Sequence, residues 1–290
     1  MPTSRHHAAW LALAFAAALA FATPGSAHER VREESVDLGG FAAVLWFDPV
    51  RTGPQPVVVF SHGMYMCPTQ SRYLMRALAE DGYFVVAPRH ADSNCQFSLP
   101  AISRFGFKPS LMWSETDYRD RAEDIREIVA ALGVDHRYAS RADLSRLALA
   151  GHSLGGYTVL GLGGAWPSWK LAGVRAILAL TPYSLPFQRS GGLRHLTAPV
   201  MYQAGSLDPV FTLPIELAGG AYDQSPAPKY LVEVDGAAHL AWTDLGISGR
   251  DAIVGYAIAF LDRYVKGDAT AAPALKRPGT AAIAHDDAGD

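Results

Sequence analysis

The chain has 290 residues, of which 49% are hydrophobic and 18% charged, with a formal net charge of -3 at pH 7. This composition fits one large globular domain or two small ones, and it excludes a chain that is disordered throughout. The near-neutral charge lacks the basic excess of proteins that bind nucleic acids or anionic membranes, so we expect a small or neutral partner and no nucleic acid.

A secretory signal peptide is predicted over residues 1–27. Arg5 precedes an apolar run of fifteen residues, from Ala8 to Ala22, which is shorter than the about 20 residues that a membrane span needs. The small residues Gly25 and Ala27 suit positions -3 and -1, just before a cleavage site. We therefore expect a periplasmic or secreted protein that begins at His28 and has no integral membrane span after processing. An uncleaved N-terminal anchor is the alternative.

Strands and helices alternate through most of the remaining chain. Apolar and β-branched runs predict strands at 31–38, 41–47, 56–60, 83–87, 147–150, 174–180, 199–204 and 229–234. Helical spacing is found at 69–80, 116–132 and 249–266, and we interpret the many charges of the second helix as a solvated face. The alternation predicts an α/β fold, with a mostly parallel sheet of about eight strands and helices on both faces.

One catalytic domain is predicted over residues 28–267. The segment from Asp268 to Asp290 is rich in Ala, Pro, Gly, Thr and Asp, and we expect it to be a disordered tail because it has few large apolar groups to bury. Only eighteen residues separate Leu180 from Pro199. They leave no room for a multi-helix cap, so a minimal lid is expected.

A Gly-x-Ser-x-Gly turn follows the predicted strand that ends at Ala150. Ser153 lies at its centre, between an apolar strand and a segment of small residues typical of a helix that packs closely. In a strand–turn–helix context this pattern places the serine hydroxyl at the top of the sheet, on a strained backbone. Ser153 is therefore the predicted nucleophile.

Two further polar residues follow strands later in the chain. Asp208 follows the strand at 199–204, and His239 follows the strand at 229–234. The order Ser, Asp, His is that of the α/β-hydrolase fold, and His239 is the one histidine after Asp208 that lies outside the predicted tail. We predict Asp208 as the acid and His239 as the base. Asp223 and Asp235 also lie between Ser153 and His239 and remain alternatives for the acid.

Two backbone N–H groups are predicted to form an oxyanion hole. One belongs to Leu154, directly after the nucleophile, and the other to Met64, in the His62-Gly63-Met64 loop that follows the strand at 56–60. His62 and His152 are interpreted as residues that shape their loops rather than as catalytic groups.

These motifs resemble those of the serine-dependent α/β-hydrolases. The spacing of His62-Gly63, the 151–156 turn, Asp208 and His239 is similar to that of dienelactone-hydrolase-like proteins, platelet-activating-factor acetylhydrolases and cutinase-like polyester hydrolases. The resemblance covers about residues 35 to 266 and implies an α/β-hydrolase fold with an acyl-serine mechanism. Dienelactone hydrolases differ in using a cysteine nucleophile, and cutinase-like enzymes differ in carrying an aromatic residue where this chain has Met64.

The binding cleft is expected to be open and edged by apolar and aromatic side chains. The residues predicted to line it are Met64, Tyr65, Trp113, Tyr183, Phe187, Leu240 and Trp242. Such a cleft accepts a bulky alcohol group but has no tunnel for a long acyl chain.

The predicted function is a carboxylic ester hydrolase (serine esterase) that acts on esters with a short acyl chain, including those with a bulky or polymeric alcohol side, through an acyl-Ser153 intermediate. Spacings such as His-Glu-x-x-His or Cys-x-x-Cys are absent from the sequence, so neither a metal nor an organic cofactor is expected. A serine peptidase or amidase on the same fold, and a non-catalytic binding protein, are the alternatives.

Cys67 and Cys95 are the two cysteines of the chain. In an oxidising compartment such a pair is a disulfide candidate, which would tie the oxyanion loop to the connection after the next strand. Two separate buried thiols are the alternative.

Overall fold

The structure, a computed structural model, describes residues 30–95, 113–276 and 281–287. The predicted signal peptide and residues 96–112 of the connection that carries Cys95 lie outside the described residues. Within these ranges no helix is long and apolar enough to cross a membrane.

The described residues form one nine-stranded sheet. Its strands are β1 (Arg32–Leu38), β2 (Phe41–Phe47), β3 (Gln55–Ser61), β4 (Phe84–Pro88), β5 (Ala142–His152), β6 (Val174–Leu180), β7 (Val200–Gly205), β8 (Lys229–Val234) and β9 (Ala281–Asp286). Their order across the sheet is β1-β2-β4-β3-β5-β6-β7-β8-β9. The six strands from β4 to β8 in that order run parallel, and β1, β2 and β9 are antiparallel to their neighbours. The predicted mostly parallel sheet is confirmed.

Local sequence explains the first strands. Gly39 and Gly40 have φ of 64° and 93°, a conformation that glycine adopts without strain, and the two-residue turn pairs Leu38 with Phe41. β3 is buried along its whole length, because helices cover both faces of a parallel sheet and its Val57-Val58-Val59 run packs on both sides.

Helices lie on both faces of the sheet. The α-helices of the described residues are α1 (Arg72–Glu80), α2 (Arg119–Val134), α3 (Leu154–Leu160), α4 (Leu185–Ser190), α5 (Pro209–Glu216), α6 (Ala221–Gln224), α7 (Arg250–Leu261) and α8 (Ala272–Leu275). α2, α3 and α4 pack into one hydrophobic core, and α1 and α7 into a second core on the opposite face. The sheet thus separates two cores, and the loops at the carboxyl ends of its parallel strands carry the predicted site.

The segment predicted as a disordered tail is ordered in part, which corrects that expectation. β9 pairs with β8 along six residues, from Lys229–Asp286 to Val234–Ala281. The ring of His285 also stacks on Tyr230, with centroids 6.3 Å apart. Apolar content was the basis of the prediction, whereas the edge of β8 offers backbone hydrogen bonds that do not depend on the side chains of the added strand.

The charges of α2 do not all face solvent, contrary to the prediction. Arg121 is fully buried, and Asp124 is half-buried against His90. From the sequence of α2 alone, its many charged residues indicate a face exposed to solvent. The packing of α2 under the loops that follow β3 and β4 turns part of that face inward.

The connection between β6 and β7 contains the short helix α4 and one 3₁₀ turn, Gly192–His195. It holds no multi-helix cap, as predicted from its length.

Candidate active site

Ser153 stands on a sharp turn between β5 and α3. Its φ and ψ are 55° and -115°, which places a non-glycine residue in a strained region of backbone space. A Cβ on Gly151 would lie 2.2 Å from the carbonyl oxygen of Gly155, and one on Gly155 would lie 1.9 Å from that of Ser61. The turn therefore requires glycine at both positions, and it presents the partly exposed Ser153 above the carboxyl ends of the strands.

The structure brings the three predicted triad residues together. Ser153 Oγ lies 3.1 Å from His239 Nε2, and His239 Nδ1 lies 2.7 Å from Asp208 Oδ2. These are hydrogen-bond distances between a hydroxyl, an imidazole and a carboxylate. The arrangement can take a proton from the hydroxyl and stabilise the resulting imidazolium.

The two alternative acids, Asp223 and Asp235, make their hydrogen bonds to other groups than His239. Asp235 accepts a hydrogen bond from Ser206 Oγ at 3.3 Å, and Asp223 accepts one from the Gly219 N–H at 2.8 Å. The geometry therefore favours Asp208, which is also the most buried of the three carboxylates.

Thr181 is a neighbour of the triad that the sequence analysis did not assign. Its hydroxyl donates to Asp208 Oδ2 at 2.5 Å and lies 3.4 Å from His239 Nδ1. Its φ of 38° shows that the chain bends sharply at the end of β6. A signal was available, because Thr181 follows a parallel strand adjacent to that of Ser153.

The predicted oxyanion donors lie on two loops that pack against each other. The hypothetical Cβ of Gly155 would meet the carbonyls of both Ser61 and His62, so the start of α3 contacts the loop that leads to Met64. In the described part of the chain, neither Met64 N–H nor Leu154 N–H donates to a protein acceptor. Their role as oxyanion donors stays a prediction.

Two histidines beside the site are neutral and fixed by hydrogen bonds. Burial and the nearby charge of Arg121 hold the pKa of His62 well below its usual range. Burial and the charge of His239 lower the pKa of His152 to about 3. His152 Nε2 donates to the carbonyl oxygen of His239 at 2.9 Å, and its Nδ1 accepts from the amide of Gln70 at 3.1 Å. These contacts agree with the interpretation of both histidines as loop-shaping residues.

Aromatic rings form a row that ends at the predicted base. Trp113 packs on Tyr183 with ring centroids 4.8 Å apart, Tyr183 lies 6.1 Å from Phe211, and Phe211 stacks on His239 at 4.0 Å. Trp113 is nearly buried, whereas Tyr183 and Phe211 are partly exposed. Phe211 was missed because one aromatic residue in a helix gives no sign in the sequence that it faces a histidine from another strand.

The remaining predicted lining residues divide into two groups. Tyr65, which follows Met64 with a φ of 56°, is partly exposed, and Leu240 is exposed. Phe187 and Trp242 are fully buried, which corrects their assignment to the cleft. The indole N–H of Trp242 donates to the side-chain oxygen of the buried Gln203 at 2.9 Å. Trp242 is close to His239 in the sequence, but its ring packs in the core and donates to the buried Gln203. The sequence did not show this contact.

The predicted disulfide between Cys67 and Cys95 is present, with the two Cα atoms 5.2 Å apart. The Asn94 N–H also donates to the carbonyl oxygen of Met66 at 3.1 Å. The bridge therefore joins the segment after the oxyanion loop to the one that carries Asp92.

Comparison with known proteins finds similarity to three cutinases. Cutinase est2 of Thermobifida alba is 25% identical over 231 residues, which make up 79% of this chain and 66% of that protein. Cutinase 1 of Thermobifida cellulosilytica is 34% identical over 132 residues, 44% of this chain and 45% of that protein. The cutinase of Thermobifida fusca (strain YX) is 34% identical over 132 residues, 44% of this chain and 39% of that protein.

The chain thus spans about two thirds of the length of the first cutinase and less than half of the other two. A family model described as Chlorophyllase matches residues 25–184, from before β1 to the loop after β6. Because this match covers more than half of the residues and includes the turn around Ser153, the chain belongs to the chlorophyllase family of α/β-hydrolase-like proteins.

Proposed function

We propose that this protein is a serine hydrolase that cleaves carboxylic esters. The observation that carries the proposal is the hydrogen-bonded series from Ser153 Oγ through His239 to Asp208. The cutinase relatives and the family support the same class of reaction.

The geometry supports a two-step acyl transfer. His239 Nε2 takes the proton of Ser153 Oγ as the oxygen attacks the ester carbonyl carbon, and Asp208 stabilises the imidazolium through Nδ1–H. The N–H groups of Met64 and Leu154 donate to the developing oxyanion. Collapse of this intermediate expels the alcohol, which takes the proton from Nε2. His239 then deprotonates a water that attacks the acyl-serine. As the acyl–Oγ bond breaks, Nε2 returns this proton to Ser153 Oγ and the carboxylic acid leaves.

Replacing the triad residues tests this assignment. Ser153→Ala and His239→Ala are expected to lower kcat on p-nitrophenyl butyrate by several orders of magnitude while the far-UV spectrum stays unchanged. Asp208→Asn is expected to be severe, and Asp235→Asn is the matched control that retains activity. Retained turnover in Asp208→Asn together with loss in Asp235→Asn would refute the assignment of the acid.

Two further assays address the class of the protein. A fluorophosphonate probe is expected to label the native protein and not Ser153→Ala, which separates a serine hydrolase from a binding protein. Rates on p-nitrophenyl butyrate are expected to exceed those on aminoacyl anilides, which separates an esterase from a peptidase.

Short acyl chains with bulky or polymeric alcohols are the proposed substrates. The short β6–β7 connection and the partly exposed rings of Tyr65, Tyr183 and Phe211 support an open, aromatic-edged cleft. Each methylene left in water forgoes about 0.8 kcal/mol of transfer free energy. We expect kcat/KM on p-nitrophenyl esters to be highest for acyl chains of about two to six carbons and to fall steeply by about twelve carbons. A preference for palmitate over butyrate would contradict this proposal.

We also propose a periplasmic or secreted protein whose mature chain begins at His28. The Cys67–Cys95 bridge supports it, because disulfides persist in oxidising compartments. N-terminal sequencing of the protein recovered outside the cytoplasm tests the cleavage site.

A further inference from the structure

A buried cation lies directly beneath the loop that carries Met64. Arg121 of α2 has no exposed surface, and its guanidinium Nη1 donates to the carbonyl oxygen of His62 at 2.7 Å. Its Nη2 donates to the carbonyl oxygen of Gly63 at 3.3 Å. A buried arginine is rare and is retained only where charge and hydrogen bonds compensate for the loss of water. Here most of those hydrogen bonds go to one short stretch of backbone and to one carboxylate.

That carboxylate belongs to Asp92, which contacts the same loop from the other side of Met64. Arg121 Nε lies 3.0 Å from Asp92 Oδ1, and Nη2 lies 2.7 Å from Oδ2. Asp92 Oδ2 also accepts a hydrogen bond from the Tyr65 N–H at 3.4 Å. Burial alone would raise the pKa of Asp92, but the adjacent Arg121 holds it below its usual range, so the pair is ionised. The pair therefore fixes the backbone both before and after Met64.

His62 adds a second side-chain donor to the Gly63 carbonyl. His62 Nδ1 lies 2.8 Å from that oxygen, which only accepts, so Nδ1 carries the proton. His62 Nε2 then accepts from Ser93 Oγ at 2.7 Å. On the other face, the Gly63 N–H donates to the side-chain oxygen of Gln70 at 2.8 Å. Every polar group of Gly63 is thus held by a side chain.

Because the peptide unit is planar, the contacts of the Gly63 carbonyl oxygen also set the direction of the Met64 N–H. The Gly63 carbonyl and the Met64 N–H belong to the same peptide unit, and in a trans peptide they point in opposite directions. The Gly63 carbonyl accepts from Arg121 of α2, from His62 and, within the loop, from the Met66 N–H at 3.2 Å. Because these donors fix the direction of the carbonyl, they also fix the direction of the Met64 N–H. Preorganised donors of this kind lower the barrier because they need no reorientation when negative charge develops on the substrate oxygen.

We propose that Arg121, ion-paired with Asp92, and His62 are positioning residues that orient the Gly63–Met64 peptide for oxyanion stabilisation. The proposal rests on the proposed function, since it assigns these residues to the Met64 donor of that mechanism. None of them contacts the reacting atoms. Their effect is expected in kcat far more than in KM, because an oxyanion donor acts on the transition state rather than on the bound ester.

A pair of variants at position 62, one with and one without a side-chain donor, tests the proposal. His62→Asn places an amide N–H where Nδ1–H stands, whereas His62→Leu removes the donor. We expect kcat on p-nitrophenyl butyrate to fall about 10- to 100-fold in His62→Leu, with KM within about twofold, and to recover to within about threefold of wild type in His62→Asn, since loss of a whole oxyanion donor costs about 10²–10³-fold.

Arg121→Lys extends the test, because lysine keeps the charge but has one nitrogen in place of the planar fork whose three nitrogens contact the two carbonyls and Asp92. We expect a similar fall in kcat and an equal fall in affinity for an alkyl boronic acid, which forms a tetrahedral adduct with the serine. Ile128→Ala, a buried substitution elsewhere on α2, is the control that lowers the free energy of unfolding without lowering kcat per titrated site. Fluorophosphonate titration supplies the site concentration for every variant.

The outcomes separate this proposal from the function on which it rests. Unchanged kcat in both His62→Leu and Arg121→Lys would overturn the proposal, as would a fall in Ile128→Ala equal to theirs. A rise in KM without a fall in kcat, with the affinity for the boronic acid unchanged, would also overturn it. Retained turnover in Ser153→Ala would instead refute the proposed function.

Discussion

Gly155→Ala is the substitution for which the structure gives the most direct measure of its effect. The new Cβ would lie 1.9 Å from the carbonyl oxygen of Ser61 and 2.8 Å from that of His62. Ordinary van der Waals contacts of a Cβ begin at about 3.4 Å, so α3 and the end of β3 must separate by up to about 1.5 Å, an upper bound set by the difference of the two distances. Both contacts are with backbone, which cannot rotate away as a long side chain can.

The expected losses follow from that displacement. Overpacking a tight site costs about 1–3 kcal/mol and occasionally more, and this contact belongs at the upper end because backbone must move. The same shift separates Leu154 on α3 from Met64 on the facing loop. Misplacement of catalytic groups by about 1 Å can cost about 10²-fold in rate. We therefore expect a loss of about 3 kcal/mol in the free energy of unfolding and of at least about 100-fold in kcat.

Gly255→Ala is the matched control. Gly255 is an exposed residue inside α7, and a Cβ there meets nothing within 4 Å. The same chemical change should stabilise the protein by about 0.5–1 kcal/mol, because alanine has the higher helix propensity, and it should leave kcat unchanged.

Urea unfolding and p-nitrophenyl butyrate kinetics, corrected for titrated active sites, measure both effects. A Gly155→Ala enzyme within about threefold of wild-type kcat and with the same unfolding midpoint would refute the argument from close approach. A lower free energy of unfolding in Gly255→Ala would contradict the absence of any atom within 4 Å of a Cβ at that position.

The remaining predictions concern the disulfide and a half-buried carboxylate. Replacing Cys67 and Cys95 by serine removes a crosslink between residues 28 positions apart, so the free energy of unfolding should fall by about 3 to 4 kcal/mol in the chain-entropy model; an unchanged urea midpoint would contradict this. Burial raises the pKa of Asp124 from an ordinary 3.8 to about 6, where it meets His90, Arg121 and Asp92. The native state thus binds this proton more tightly than the unfolded state, and ionisation of Asp124 destabilises the fold as pH rises through about 6. The free energy of unfolding of Asp124→Asn, relative to that of wild type, should therefore rise by about 1 kcal/mol between pH 4.5 and 7.5. A pKa shift of about two units is worth about 3 kcal/mol at most, and the partial exposure of Asp124 reduces this value. If the variant instead lost stability relative to wild type over this pH range, the sign of the argument would be refuted.

Much of the site was predictable because its signals are local in the sequence. The glycines around Ser153 are required by the turn itself, and a turn between an apolar strand and a helix can be recognised from consecutive residues. The positions of Asp208 and His239 followed from a topological rule, since groups at the carboxyl ends of parallel strands meet at one edge of the sheet. The hairpin at Gly39-Gly40 and the buried run of β3 are likewise dictated by neighbouring residues.

Other features depend on contacts between distant segments, and these the sequence does not reveal. Arg121 looks like one more charge on a solvated helix until α2 packs beneath the loop after β3. Trp242 looks like a cleft residue until its indole is found against Gln203, 39 positions away in sequence. The tail strand β9 has Ile283 as its one large apolar residue, and its pairing with the edge of β8 could not be read from the tail alone.

The fold class, the nucleophile and the base could be predicted from the sequence, because each prediction rests on a local pattern or on the order of elements. The two cysteines could be named only as a disulfide candidate. The folded structure was needed to show which charges are buried, which aromatic rings face His239, and how the Gly63–Met64 peptide is held. The physical reason is that burial and hydrogen-bond partners are properties of two or more segments brought together, and a side chain's own neighbours in sequence do not specify them.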